Sequence, residues 1–591
     1  MRKPKDFDLL IERVESAEKW RDSVYKSKWK KYLFMYRSIA KDKPAGVSNM
    51  FIPQTFMMVE TVKARVAGAL FANRPFVTVL PRGSDDADKA DLMESLLDWQ
   101  LNERMQIKRV FANDLLSDAI IMGTSISYTS WLKKQRKQKK RMDVEEYLLD
   151  PYGMPFMDEA GQPILTANRQ VVEENVDVYD DPITQHIDLF DFFVDRAATK
   201  IEDARFCGHV ERLTKEQIKA LEKTAGWSVN WKDLSPNEGM SSGRAARAEI
   251  SGGGSIGSDD TYDKDSAAGL YEVIHYWEDN RHVVIINRQE CALDEENPFW
   301  HGQKPYDKVC YITLPDEFYG MGLPESIADL QDELNTSRNM RIDYNAMALR
   351  RMWKMRKGCG ITNKDLMWRQ GGVIQLEDLD DVQEINIQQI PASAFTNEEI
   401  TKQDMRYVTG VHDIIMGVAD ADETATTTMT KDNNASIRFK FFIEALVDDM
   451  LIPIVDKCIS MDIQYMDDAK TIRLFDNDAG KMAQIATITQ EDIDGAYDLY
   501  YVGSAVEPMA NKEMYKQKVL EAYTLAMNNP LVQQSPESQR NLLLALFKAA
   551  EIKNPEELLP ELPQPQMQTQ PQSQATGVPP MAMGANQLTL V

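Results

Sequence analysis

PESIADLQDELNTSRNMRIDYNAMALRRMWKMRK, residues 324–357, is the stretch that decides the architecture. It has no internal Gly or Pro and predicts one unbroken helix. At 1.5 Å per residue such a helix reaches roughly 50 Å, about three times the ordinary length. Charged residues line it throughout, so it reads as a strut that positions other parts rather than as a membrane span.

Working outward, CGITNKDLMWRQGGVIQLEDLDDVQEINIQQIP (359–391) follows Gly358 and reads as a short strand-rich module turned at Gly371-Gly372. Thr396-Asn397-Glu398-Glu399 has the spacing of a capping box and opens a second helix to about Thr409. A Thr/Asp-rich break covers 409–436. A third helix is expected over 435–466, kinked at Pro453, which removes a backbone donor and crowds the preceding turn.

Upstream, residues 6–40 predict an amphipathic helix with Leu9, Val14, Trp20, Val24 and Tyr32 on its apolar stripe. Further helices are expected over 54–72 and 85–122, the latter closed by Gly123. SISYTSWLK (125–133) alternates and predicts a strand. KKQRKQKKR (133–141) packs basic residues densely, either to meet phosphate or an acidic partner, or as a solvated hairpin arm. The acidic stretch 142–183 reads as an insertion. Strands are expected over 186–195, 205–213, 269–279, 282–290, 308–315, 471–476 and 496–504, and a short helix over 213–226. The Gly/Ser/Asp-rich 235–268 reads as a flexible loop. Helices are expected at about 509–528, 536–551 and 555–561, and the Gln/Pro-rich end as disordered.

With 591 residues, 43% hydrophobic and 27% charged, the chain can bury a sizeable core. No uncharged apolar run is long enough to span a bilayer, and the N-terminus lacks the apolar core of a secretory signal. Five scattered cysteines without a CxxC pair fit a reducing compartment. A formal charge of −25 argues against tight clasping of phosphates, and equally serves solubility.

The ordered set FYGMGLPESIADLQDELNTSRNMRIDYNAMALRRM, QGGVIQLED and TGVHDIIMGVADADETATTTMTKDNNASIRFKFFIEALVDDMLIPIV resembles the portal proteins of tailed double-stranded DNA bacteriophages. Those proteins tend to show an aromatic-Gly-x-Gly turn before a helix bearing Asp-x-Gln and Asn. A Gly-rich strand, a Thr-Gly-Val helix and a Thr/Ala-rich loop entering a long kinked helix follow. The resemblance implies an α+β, mainly helical fold with wing, stem, clip and crown, assembled as a ring of about twelve copies. Residues 1–323 would be wing, 324–357 the stem helix, 358–392 the clip, 393–416 the returning stem helix and 417–435 the tunnel loop. Residues 436–510 would be the kinked helix and more wing, 511–562 the crown, and 563–591 a disordered tail.

The same resemblance implies a non-enzymatic DNA channel at the unique capsid vertex, without cofactor or catalytic residues, used for genome packaging and ejection. Its partners would be further copies, the terminase large subunit, the major capsid and scaffolding proteins, a tail adaptor and double-stranded DNA in transit. Assembly would take place in the host cytoplasm, without membrane contact. Asp420, Asp422, Glu423, Thr426, Thr427, Thr428 and Lys431 would face DNA. Thr hydroxyls exchange hydrogen bonds with phosphate at little cost while the acids prevent capture. Arg350, Arg351, Lys354, Arg356 and Lys357 would sit where stem meets clip. There they hold phosphate or an acidic partner, or offset the dipole at the helix C-terminus.

Other chemistry fares less well. No GxxxxGK[ST] occurs, so the chain is not the ATP-driven motor. Cys207-Gly-His209 and the His275/His282 pair lack metal-ligand company in the sequence, which favours structural roles and no metal site. The competing reading is a metal-dependent nucleic-acid-processing enzyme built on acidic clusters. Another virion connector or scaffold is a third reading.

Overall fold

The long helix is present and shorter than its sequence pattern: in the computed structural model it runs Leu323–Leu349, about 40 Å. The structure describes residues 4–40, 46–72, 75–83, 86–147, 165–232, 234–236, 269–349, 353–357, 382–385, 393–411, 439–467, 469–474 and 484–501, with isolated positions between them. Two compact units divide the chain, Met1–Phe475 with Ala483–Pro508 and Asp476–Met482 with Met509–Val591. The elements below belong to the first. The helices expected over 509–561, Leu543 apart, the tail 563–591 and the loop from 237 to 268 lie outside the described residues.

Beyond the long helix, Trp353–Met355 form a strand paired antiparallel with Val382–Glu384. The expected helix to 357 is therefore wrong in its last turns. A backbone ladder to a distant segment outweighs weak local helix preference. The return helix is Ser393–Thr409, followed by Gly410 in the left-handed region at φ 73°, where glycine carries no steric penalty. The expected capping box lies inside this helix rather than ahead of it. The Glu398 carboxylate is taken by cations of the long helix instead. Arg341 stands over the Phe395 ring and also reaches Glu398, while Arg338 meets Glu398. The two helices thus run antiparallel.

The third helical run covers 439–465 and holds a π turn at Val447–Leu451, immediately before the helix Ile452–Tyr465. The Ile452 N–H bonds to the Val447 carbonyl, five residues back. This wider turn accommodates Pro453, which can donate no hydrogen bond.

The N-terminal helix spans Phe7–Arg21 and Ser27–Tyr36 with a π turn at Asp22–Lys26 between them. Phe7, Leu10, Val14 and Ala17 form the buried stripe, then Trp29, Tyr32, Leu33 and Met35. Leu9 and Val24, expected inside, are exposed. The π turn adds a residue and re-phases the stripe, and Leu9 lies about 100° round the helix from Leu10. The helix expected over 54–72 runs Gln54–Leu70. The one expected over 85–122 is interrupted once, at Met105 and Gln106, the latter left-handed at φ 51°: Ala87–Trp99 continues through a π turn at Gln100–Arg104, and Ile107–Val110 joins Leu116–Met122 through another at Phe111–Leu115.

Thr124–Tyr147 is one long strand, paired throughout with Leu165–Ile187 and at its base with Tyr306–Cys310. The expected insertion over 142–183 is thus largely a strand. Its acids stand across from the basic run, Lys139 opposite Glu173 and Lys133 opposite Asp180, and opposite charges on facing positions favour this register. Beyond its buried base at Ile126 and Ile187, such a highly charged ribbon gives little hydrophobic alternation to read in sequence. The basic run accordingly sits on a hairpin arm, its residues 133–139 exposed.

A five-stranded antiparallel sheet joins Phe192–Val194, Cys207–Thr214, Leu270–Glu278, Arg281–Ile286 and Glu290–Glu296 in that order. The strand expected over 186–195 is split, His186 and Ile187 ending the arm strand and Phe192–Val194 joining this sheet, and Glu290–Glu296 and Gln484–Ile488 are strands with no sequence expectation behind them. The main core packs Trp29 against Phe190 and Tyr319, with ring centroids 5.6 and 5.1 Å apart. Among the described residues no helix is long and apolar enough to cross a membrane.

Candidate functional site

The base of the helical hairpin is a close contact between two glycine turns. Gly123 ends the helix Leu116–Met122 at φ 88°, and Gly320 belongs to the Tyr319-Gly320-Met321-Gly322 turn that launches the long helix. A Cβ on Gly123 would lie 2.2 Å from the Gly320 carbonyl oxygen, and one on Gly320 would lie 2.6 Å from that of Ile312. The Gly320 N–H donates to Thr124 Oγ1 at 2.8 Å, and the Tyr311 N–H to the Gly123 carbonyl at 3.0 Å. Two features read separately in the sequence are therefore one joint.

Above the joint, the long helix carries Gln331, Asn335, Asn339 and Asp343 at four-residue intervals. These side chains zip up the non-helical segment that precedes Gln54. The Ser48 N–H donates to Asp343 Oδ1 at 2.7 Å, that of Met50 to Asn339 Oδ1 at 2.7 Å, and that of Ile52 to Asn335 Oδ1 at 2.9 Å. Asn339 Nδ2 returns a bond to the Met50 carbonyl, and Gln331 Nε2 one to that of Ile52, each at 2.9 Å. Four helical residues rise about 6 Å and two extended residues span roughly 6.6 Å. The rungs can therefore repeat, satisfying backbone groups with no sheet partner. The row was visible as Asp-x-Gln with following Asn; its partner was not.

Between the helices, the buried Glu398 carboxylate accepts from Arg338, from Arg341 at 2.8 Å, and lies 3.4 Å from Lys402. Burial pushes its pKa up. The hydrogen bond and charge of Arg338, with Arg341 and Lys402, outweigh that and hold it below the usual carboxylate range. Sequence reading placed Glu398 in a cap and missed this role; the Arg338/Arg341 pair on the facing helix was the available signal.

The same two helices expose several large side chains among polar ones such as Asp332, Glu399 and Asp404. Met340 is 67% exposed, Leu349 84%, Phe395 53% and Tyr407 66%.

Of the expected site residues, Lys354 lies in the ribbon strand and Arg356 and Lys357 follow it, all exposed. They follow the described helix, which ends at Leu349. Arg350 and Arg351 lie outside the described residues, as do Asp420, Asp422, Glu423, Thr426, Thr427, Thr428 and Lys431. The antiparallel helices, the ribbon between them and the helical run 439–465 nevertheless keep the order expected from the resemblance.

A family model described as phage SU10 portal protein matches residues 7–587. No curated protein matches the chain. With nearly every residue inside the match, and the joint, ladder and helical hairpin within it, the chain belongs to the phage portal protein family.

Proposed function

We propose that this chain is the subunit of a ring, of about twelve copies, at the unique capsid vertex, through which double-stranded DNA passes during packaging and ejection. The observation that carries the reading is the helical hairpin, held inside by Glu398 and lined outside by Met340, Phe395 and Tyr407. Large side chains exposed along a rigid rod offer contact area to a neighbouring protein. In a ring each hairpin is flanked by two copies, which cover both flanks at once.

In this reading the long helix is the descending stem, the ribbon of Trp353–Met355 and Val382–Glu384 belongs to the clip, and Ser393–Thr409 returns. Residues 417–435 form the loop against DNA, with Asp420, Asp422 and Glu423 repelling phosphate and the threonines brushing it. Lys354, Arg356 and Lys357 serve the clip, which docks the terminase large subunit and later the tail adaptor. Major capsid and scaffolding proteins bind the wing. The role is structural rather than catalytic.

Mass photometry and negative-stain microscopy test this. Twelve chains of 67.4 kDa give about 800 kDa with a central hole. Phe395→Lys with Tyr407→Lys should yield folded monomers. Rings that survive both substitutions would remove the argument from the hairpin faces. Deleting 420–431 should leave rings intact and impair packaging or retention of DNA; loss of the ring would misplace the loop.

A further inference from the structure

Three histidines that are far apart in the sequence share one face of the five-stranded sheet. Register puts His209 opposite His275, and Trp277 opposite His282. The His209 and His275 rings stack at 4.9 Å between centroids and those of His275 and His282 at 5.8 Å, both 10° from parallel. Glu211, two residues along from His209, projects on the same side. The company that these residues lack in the sequence is supplied by strand pairing.

We propose that His209, Glu211 and His275 bind a divalent transition-metal ion, zinc being the natural choice. One ligand atom from each lies within 4.8 Å of the other two, a grouping found among the described residues only here. Both histidines have their second nitrogen engaged. His209 Nδ1 is 2.6 Å from the Tyr306 hydroxyl. His275 Nδ1 is 3.5 Å from His282 Nε2, and His282 Nδ1 is 3.5 Å from Glu295 Oε1. Such outer partners fix ring orientation and tautomer in metal sites. They give a consistent proton inventory: Nδ1–H on each ring, and a lone pair on Nε2 of His209 and His275. His275 Nε2 already lies 3.8 Å from Glu211 Oε2.

Tetrahedral donors at about 2.1 Å from zinc stand roughly 3.4 Å apart. Closure from 4.8 Å therefore needs a modest movement. The Glu211 side chain, 49% exposed, is free to make it. Two nitrogens and one carboxylate suit zinc, cobalt or nickel over magnesium or calcium. The fourth position, on the exposed side by Glu211, would hold water. The ion would tie Cys207–Thr214 to Leu270–Glu278 next to the polypeptide that leads into 237–268.

The test uses the full-length protein stripped with chelator. Zinc titration followed by calorimetry and elemental analysis should find one ion per chain. Cobalt in its place should give visible d–d bands of tetrahedral intensity. Zinc should raise the melting midpoint by several degrees. Glu211→Gln, at the surface, should weaken binding at least tenfold and abolish the cobalt bands with an unchanged circular dichroism spectrum; His275→Gln should do likewise. No zinc uptake by the stripped parent, or uptake unaltered in Glu211→Gln, would overturn the assignment.

Discussion

The aromatic core around Trp29 and the helical hairpin beside it are built on opposite terms. The core closes on itself: Trp29, Phe190, Phe192, Phe318 and Tyr319 are all essentially inaccessible. The hairpin roots Ile327, Leu334 and Met405 in that same core, but farther along it is held by a carboxylate among cations and along one edge by amide side chains, and it leaves Met340, Leu349, Phe395 and Tyr407 exposed. Apolar burial is non-directional and tolerates no water, so the core is complete within one chain. Polar rungs are directional and modest in net value, so they set the geometry of a rod without making it self-sufficient. A module of the second kind reaches full stability only when something covers its faces, as the proposed ring would.

The comparison breaks most readily at Trp29. Trp29→Ala should cost about 3 to 5 kcal/mol and lower the denaturant midpoint of the whole first unit, with hairpin and core lost together. If chemical denaturation monitored by tryptophan fluorescence barely changes, the core is not the self-sufficient partner. Glu398→Ala leaves Arg338 and Arg341 without their shared carboxylate and should cost about 2 to 3 kcal/mol. The damage should stay local: hydrogen exchange should quicken across 393–409 while the five-stranded sheet keeps its protection. Because its pKa is depressed, Glu398 contributes in full above the unfolded carboxylate value. That contribution fades as pH falls through the folded one, so acid should loosen the hairpin before the core.

Asn339→Ala removes one rung of the ladder. It should cost about 1 kcal/mol and expose the Met50 amide to exchange, with the neighbouring rungs only weakly affected. Protection lost evenly from 48 to 55 would mean that the ladder acts as a unit.

The smallest effect sharpens the core side. Burial pushes Asp462 up to about 7 against the pull of Lys470 and Gln100. The folded state then keeps a proton that the unfolded chain sheds near 4, so this group weakens the fold as pH rises between those values. Asp462→Asn keeps an acceptor for Gln100 Nε2, 2.7 Å away. It should flatten the profile between pH 4 and 7 and add on the order of 1 kcal/mol at pH 8. A pH profile with its slope intact would place the proton elsewhere.

Much of this was legible in the chain itself. Period and breaker residues marked the long helix, its return and the helical run through Pro453, since a helix writes its length locally through the absence of Gly and Pro. The Tyr319–Gly322 turn and Gly123 were both visible, because left-handed and close-packed backbone demands glycine. The adjacent strands expected over 269–279 and 282–290 pair as Leu270–Glu278 with Arg281–Ile286.

The remainder depended on contacts between distant residues. The arm strand Leu165–Ile187 is rich in acids and amides and keeps no steady alternation, and its existence rests on the ladder to Thr124–Tyr147. Trp353–Met355 became a strand because Val382–Glu384 lay beside it. Glu398 exchanged a cap for two arginines on another helix, and His209, Glu211 and His275 met only through sheet register. Local sequence determines what backbone conformation each stretch prefers. Only the tertiary structure decides where a carboxylate or an imidazole finds its partner, because hydrogen bonds and charges act over a few ångströms of space, whatever the distance along the chain.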